Sequence, residues 1–133
     1  MTNIERYLRG VLPYDELTDA ERCAICAAKE GRFVRRGRNL IKGATYEQLH
    51  ETTGGNECWL NCTYYLYDGT AALRLVERFR LMIQPAGPEW ACYPINAFAY
   101  PSGDTGYGST PATAIGACVC EIAKAEWPYK EGK

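Results

Sequence analysis

STPATAIGACVCEIA, residues 109–123, carries the signals that decide the fold. Thr110 is a helix-capping residue whose hydroxyl can accept from a free backbone amide. Pro111 follows at the first helical position, where a missing N–H costs nothing. Ala114, Ile115, Cys118 and Ile122 recur at helical spacing, so the segment predicts a core helix from Pro111 to about Trp127. Cys118 and Cys120, two residues apart, do not share a helix face, which leaves one for the core and one for its flank.

Directly upstream lies SGDTGYG, residues 102–108. Gly103, Gly106 and Gly108 permit positive φ and close backbone approach, and the free amides of a helix start attract anions. With Thr105, Tyr107 and Ser109 they form a candidate ligand-contacting lip, set among Trp90, Tyr93, Phe98 and Tyr100. The lip lacks the Gly-Lys-Ser/Thr ending of a phosphate loop and the G-x-G-x-x-G order of a dinucleotide site, so no nucleotide motif is present.

Working outward, Asp68 caps the clearest helix, GTAALRLVERFRLM, with Ala72, Leu75, Val76, Phe79 and Met82 on one face. Thr18 and Glu21 form a capping box for a helix from Asp19 to about Lys29, and Asn3 is placed to cap a first helix through Val11. Thr45 with Gln48 reads as a second box opening a short helix, YEQLHET, ended by Gly54 and Gly55. CWLNCTYYLY alternates, with Cys58, Leu60, Cys62, Tyr64 and Leu66 on one side, and predicts a strand. EWACYPINAFAY predicts one or two strands broken near Pro94. The expected fold is α+β: helices packed on a small, mainly antiparallel sheet as a helix-sheet-helix sandwich. One domain of 133 residues is expected, with a helical and basic part (1–55) followed by a strand-helix-strand-helix part (56–127).

Fifteen Lys and Arg balance sixteen Asp and Glu, so no global charge draws the chain to nucleic acid or anionic membrane. The start has neither signal-peptide nor membrane-span character, and a cytoplasmic protein is expected. Seven cysteines, an odd number in a reducing compartment, are either buried small hydrophobes or metal ligands. Cys23, Cys26, Cys58 and Cys62 have the spacing for four thiolates around zinc, but Cys23 and Cys26 fall inside a capped helix, which favours buried thiols and no cofactor. His50, the one histidine, would need a neighbouring cysteine to make a Cys-His enzyme. The one basic cluster is Arg32, Arg35, Arg36, Arg38 and Lys42, around Phe33 and Val34; guanidinium forks suit phosphate or carboxylate.

YDGTAALRLVER, EWACYPI and TPATAIGACVCEIA together resemble the phage ABA sandwich domains over about residues 65–125. That family pattern has Thr where Tyr67 stands, and Gly116 interrupts its last helix. The resemblance implies a phage or prophage accessory protein with no established chemistry, working in the host cell. On this reading the protein acts by binding, with counter-defence as its role. Its partner would be a host protein or a small anionic, nucleotide-like signal met by the arginines and the glycine lip, in a monomer or a homo-oligomer. A structural zinc protein and a small Cys-His enzyme are the alternatives.

Overall fold

A computed structural model describes residues 2–37, 45–51 and 54–130. Helix α1 (Asn3–Leu8) is capped by Thr2 rather than Asn3: the Thr2 hydroxyl accepts from the Glu5 amide at 3.2 Å, and Asn3 is already helical. A single 3-10 turn (Tyr14–Glu16) leads to α2 (Asp19–Lys29), where the Thr18 and Glu21 side chains each satisfy the other's backbone amide as expected. Strands β1 (Val34–Arg36), β2 (Tyr46–Glu51) and β3 (Glu57–Asn61) form one antiparallel sheet in that order. Helix α3 (Gly69–Phe79) starts on Asp68, whose carboxylate accepts from the amides of Thr70 and Ala71. Strands β4 (Leu81–Ala86), β5 (Glu89–Pro94) and β6 (Gly106–Gly108) form a second antiparallel sheet, and α4 (Pro111–Glu126) closes the fold. The class is α+β as expected, with the strands divided between two sheets.

Three segments depart from the local signals. Tyr46–Glu51 is a strand, not a capped helix, because it pairs on both sides, with β1 and with β3. Gln48 is buried there, donating to the Thr63 hydroxyl (3.1 Å) and accepting from the Thr63 amide (3.2 Å), so its polar group is spent across the sheet rather than on a cap. The strand expected from Cys58 to Tyr67 stops at Asn61. Residues 64–67 instead turn, with the Asp68 amide bonded to the Tyr64 carbonyl. Leu60 and Tyr64, which the alternation places on one side with Leu66, are about half exposed, while the consecutive pair Tyr65 and Leu66 is buried. Finally, α3 ends at Phe79, and Met82 belongs to β4. The reversal is made at Arg80 in the left-handed region (φ 53°), where no glycine marks the helix end in advance. Pro85 lies inside β4, which is tolerable because β4 is an edge strand. The two-residue hairpin to β5 uses Gly87 at φ 64° as its first central residue.

Helix α4 organises the core. Seven consecutive residues, 114–120, are buried, so it is apolar on all sides rather than along one stripe. It packs on β5 and β6, on α2, and on α3 and α1, while α2 carries β1 and β2 on its other flank. Both Cys118 and Cys120 are fully buried, which corrects the expectation of one core and one flanking thiol: a surrounded helix has no flank. Gly116 makes room for Leu66, whose Cδ2 would collide with any Cβ there. No helix among the described residues is long and apolar enough to cross a membrane.

Candidate functional site

Strand alternation splits the basic cluster. Val34 and Arg36 share a sheet face with Tyr46, the register partner of Arg36, while Arg35 belongs to the other face. On that outer face Arg35 donates to Glu47 at 3.1 Å and lies over the Trp59 ring at 4.1 Å, close enough for a cation–π contact. Arg32 is committed elsewhere, donating to Glu30 at 2.9 Å. Arg36 makes no ion pair among the described residues. Arg38 and Lys42 lie outside the described residues.

Arg36 stands at the rim of a groove of about 560 Å³. Its walls are α1 with Ile4 and Leu8, α2 with Ala24, Ile25 and Ala28, β1 with Val34, and the end of α4 with Ala123 and Trp127. The lining is mostly apolar because the helices meet here through alanines, which keep the helices close yet leave depth between them. The charges at the rim are largely matched within the protein: Lys29 pairs with Glu126, and Arg35 with Glu47. The Tyr46 phenol, also in the lining, is pushed above its usual range by burial and by the negative charge of Glu21, against the pull of Arg36. The Trp127 indole nitrogen is buried without a hydrogen-bond partner among the described residues.

The glycine lip stands elsewhere. Gly106 and Gly108 form β6 and press against the first half of α4: a Cβ on Gly106 would lie 2.7 Å from the Ala117 carbonyl carbon, and one on Gly108 would lie 2.6 Å from the Ala114 amide nitrogen. A Cβ on Gly103 would meet Pro94 Cγ at 2.7 Å. Their use is close approach, and the amide of Thr113 is already taken by the Thr110 hydroxyl. Thr105 is half-buried, and Tyr107 and Ser109 are exposed. From Ala114, beside Gly108, to Ala123 at the groove wall is roughly 13 Å along the helix axis at 1.5 Å per residue. None of the lip residues lines the groove. The arginines and the lip therefore face different spaces.

The thiols are dispersed or buried. Cys23, Cys26, Cys92, Cys118 and Cys120 are buried and Cys58 and Cys62 half-buried, and all are free. Among the described residues no group of three or more His, Cys, Asp or Glu side chains is placed to hold a metal ion. Burial pushes the thiols of Cys23 and Cys62 up to about 11, opposed at Cys23 by hydrogen bonds from the backbone of Leu66 and Tyr65. Cys26 and Cys92 are raised too, each by a hydrogen bond with a thiol of α4, Cys120 and Cys118 respectively, and by burial. His50 pairs in register with Cys58 across β2 and β3, away from the groove lining. Because a thiolate is the reacting species, titration of the native protein with a disulfide reagent at pH 8 is expected to modify at most Cys58 and Cys62 quickly, and all seven thiols after denaturation. Three or more fast thiols in the native protein would contradict this picture of the core.

A second polar centre joins the helices away from the groove. Glu30, at the end of α2, accepts from the Tyr65 hydroxyl (2.7 Å), from Arg32 and, through two nitrogens, from Arg74 of α3 (3.0 and 3.3 Å). Burial alone would raise its carboxyl, but hydrogen bonds from Arg74, Tyr65 and Arg32 outweigh that and hold it at about 2. All three donors converge on one acid, which makes it a structural clasp. No local pattern announces it, since its partners Tyr65 and Arg74 lie 35 and 44 residues away in the chain.

No protein-family model, curated protein or solved structure matches the chain.

Proposed function

We propose that the protein acts by binding a small organic ligand in the groove between α1, α2, β1 and the end of α4. The observation that carries this reading is the groove itself: about 560 Å³, mostly apolar, with a few polar groups at its rim. That is the size and chemistry of pockets that enclose small molecules. No cysteine lines it, nor does His50, so the thiols and the imidazole stand outside the site. The apolar floor fits a ligand with an apolar body better than a nucleotide, whose ribose and base edges would meet alanines and isoleucines there. The phage setting and a counter-defence role are supported by the sequence likeness alone.

Ligand binding to the folded state raises the melting temperature; at a hundredfold excess over Kd the gain is about 2.7 kcal/mol. A thermal-shift panel of nucleotides, aliphatic acids and aromatic acids is expected to stabilise the protein by several degrees with members that have an apolar body. Ala28→Trp provides the control: Ala28 is exposed on α2 and lines the groove, so an indole there occupies the site without disturbing the core. It should abolish the shift at unchanged folding cooperativity. Stabilisation that survives in Ala28→Trp would place the ligand elsewhere.

A further inference from the structure

Resting on the groove as the ligand seat, we infer that its ligand is an organic carboxylate, with an apolar body lying along α1 and α2 and a single anionic head at Arg36. Two observations converge on that chemistry. Arg36 is the rim's uncommitted cation: Lys29 is neutralised by Glu126 and Arg35 by Glu47, while Arg36 makes no ion pair among the described residues. A guanidinium presents a planar fork of donors, which matches the two oxygens of a carboxylate. The strand geometry directs this side chain toward the groove, since Arg36 shares its face with Val34 and Tyr46, both part of the lining.

A guanidinium donates only, so it asks for oxygen acceptors and does not suit an amine. The second observation is Glu5, on the α1 wall, the rim's one carboxylate without an ion pair among the described residues. It repels a second negative charge, so one head is accommodated and it is turned toward β1. Ile4, Leu8, Ala24, Ile25, Ala28 and Val34 supply the apolar bed for the body.

The test uses three probes that share one chain and differ at the head: decanoate, 1-decanol and decylamine, each below its aggregation threshold, measured by calorimetry on the full chain. Decanoate is expected to bind at least tenfold more tightly than decanol, and decylamine more weakly than either. Arg36→Gln, at an exposed position with no ion-pair partner among the described residues, should fold normally and bring decanoate down to the affinity of decanol. Equal binding of decanoate and decanol to the wild type, or a decanoate preference that survives Arg36→Gln, would overturn the carboxylate inference while leaving the groove as the seat. Failure of all three probes to bind, or binding that persists in Ala28→Trp, would overturn the groove reading and the inference with it.

Discussion

Gly106→Ala is expected to cost about 3 kcal/mol or more, a large effect for a single added carbon. The new Cβ would stand 2.7 Å from the Ala117 carbonyl carbon and Cys118 Cα, and nearer still to the Cys118 amide nitrogen. These are backbone atoms in the middle of a helix packed on every side, so nothing yields by rotating about a side-chain bond. Either β6 lifts off α4 or α4 shifts within a core whose neighbours are at contact distance, and overpacking of this kind commonly costs about 1–3 kcal/mol even where side chains can rearrange. Against a total stability of about 5–15 kcal/mol, such a loss is visible directly in a urea midpoint. Gly69→Ala supplies the opposite sign. Gly69 opens α3, a Cβ added there would meet no heavy atom within 4 Å, and its φ is not positive, so alanine should be neutral or stabilising by up to about 1 kcal/mol. If Gly106→Ala were tolerated as easily as Gly69→Ala, β6 would not be packed on the helix as described.

A second large effect is expected from Glu30→Gln. The substitution keeps the shape but removes the charge that three donors share: Tyr65 through a hydroxyl, and Arg32 and Arg74 through guanidinium nitrogens. Its carboxyl is held at about 2 against an ordinary 4.5, so the folded state favours the ionised form. With a depressed value the stabilisation is fully present above about pH 4.5 and drains away as pH falls toward 2. A full ~1.36 kcal/mol per pH unit would overstate it, because the Arg32 and Arg74 side chains are 31% and 44% exposed and solvent screens them. About 2 kcal/mol at pH 7 is the expected loss. Denaturant titrations at pH 7 and pH 3 give the check: the gap between wild type and Glu30→Gln should be wide at pH 7 and roughly halved at pH 3. A gap independent of pH would mean that the carboxylate is not the source.

Much of the helical framework could be read from the chain because its signals are local. Thr18 with Glu21, Asp68, and Thr110 with Pro111 each mark a helix start within four residues, and each cap is present. The strands were less legible. Tyr46–Glu51 carried a helix-start pattern at Thr45 and Gln48, yet two neighbouring strands claimed its backbone and the Gln48 amide went to Thr63. Gly106–Gly108 resembled a ligand lip because glycine permits both an open loop and a strand pressed on a helix, and only the three-dimensional contact with Ala117 and Cys118 separates the two. The groove was not visible at all as a unit. Arg35 and Arg36 stood out as charges, but the apolar walls come from α1, α2 and the end of α4, and α1 and α4 lie more than a hundred residues apart, with residues there that looked like ordinary core. Which of two adjacent arginines shares a sheet face with Tyr46 is a matter of strand phase, fixed by the pairing of Arg36 with Tyr46.

Helix α4 follows in sequence every element it organises. Vectorial synthesis therefore delivers both sheets and three helices before the one piece that gives them a shared interior. Until residues 111–126 have emerged, the inner surfaces of α2 and β5 have nothing of this chain to close against, and the nascent protein waits with its apolar layers open. Folding of this domain is therefore expected to wait for residues 111–126 and then to be completed around a single arriving helix.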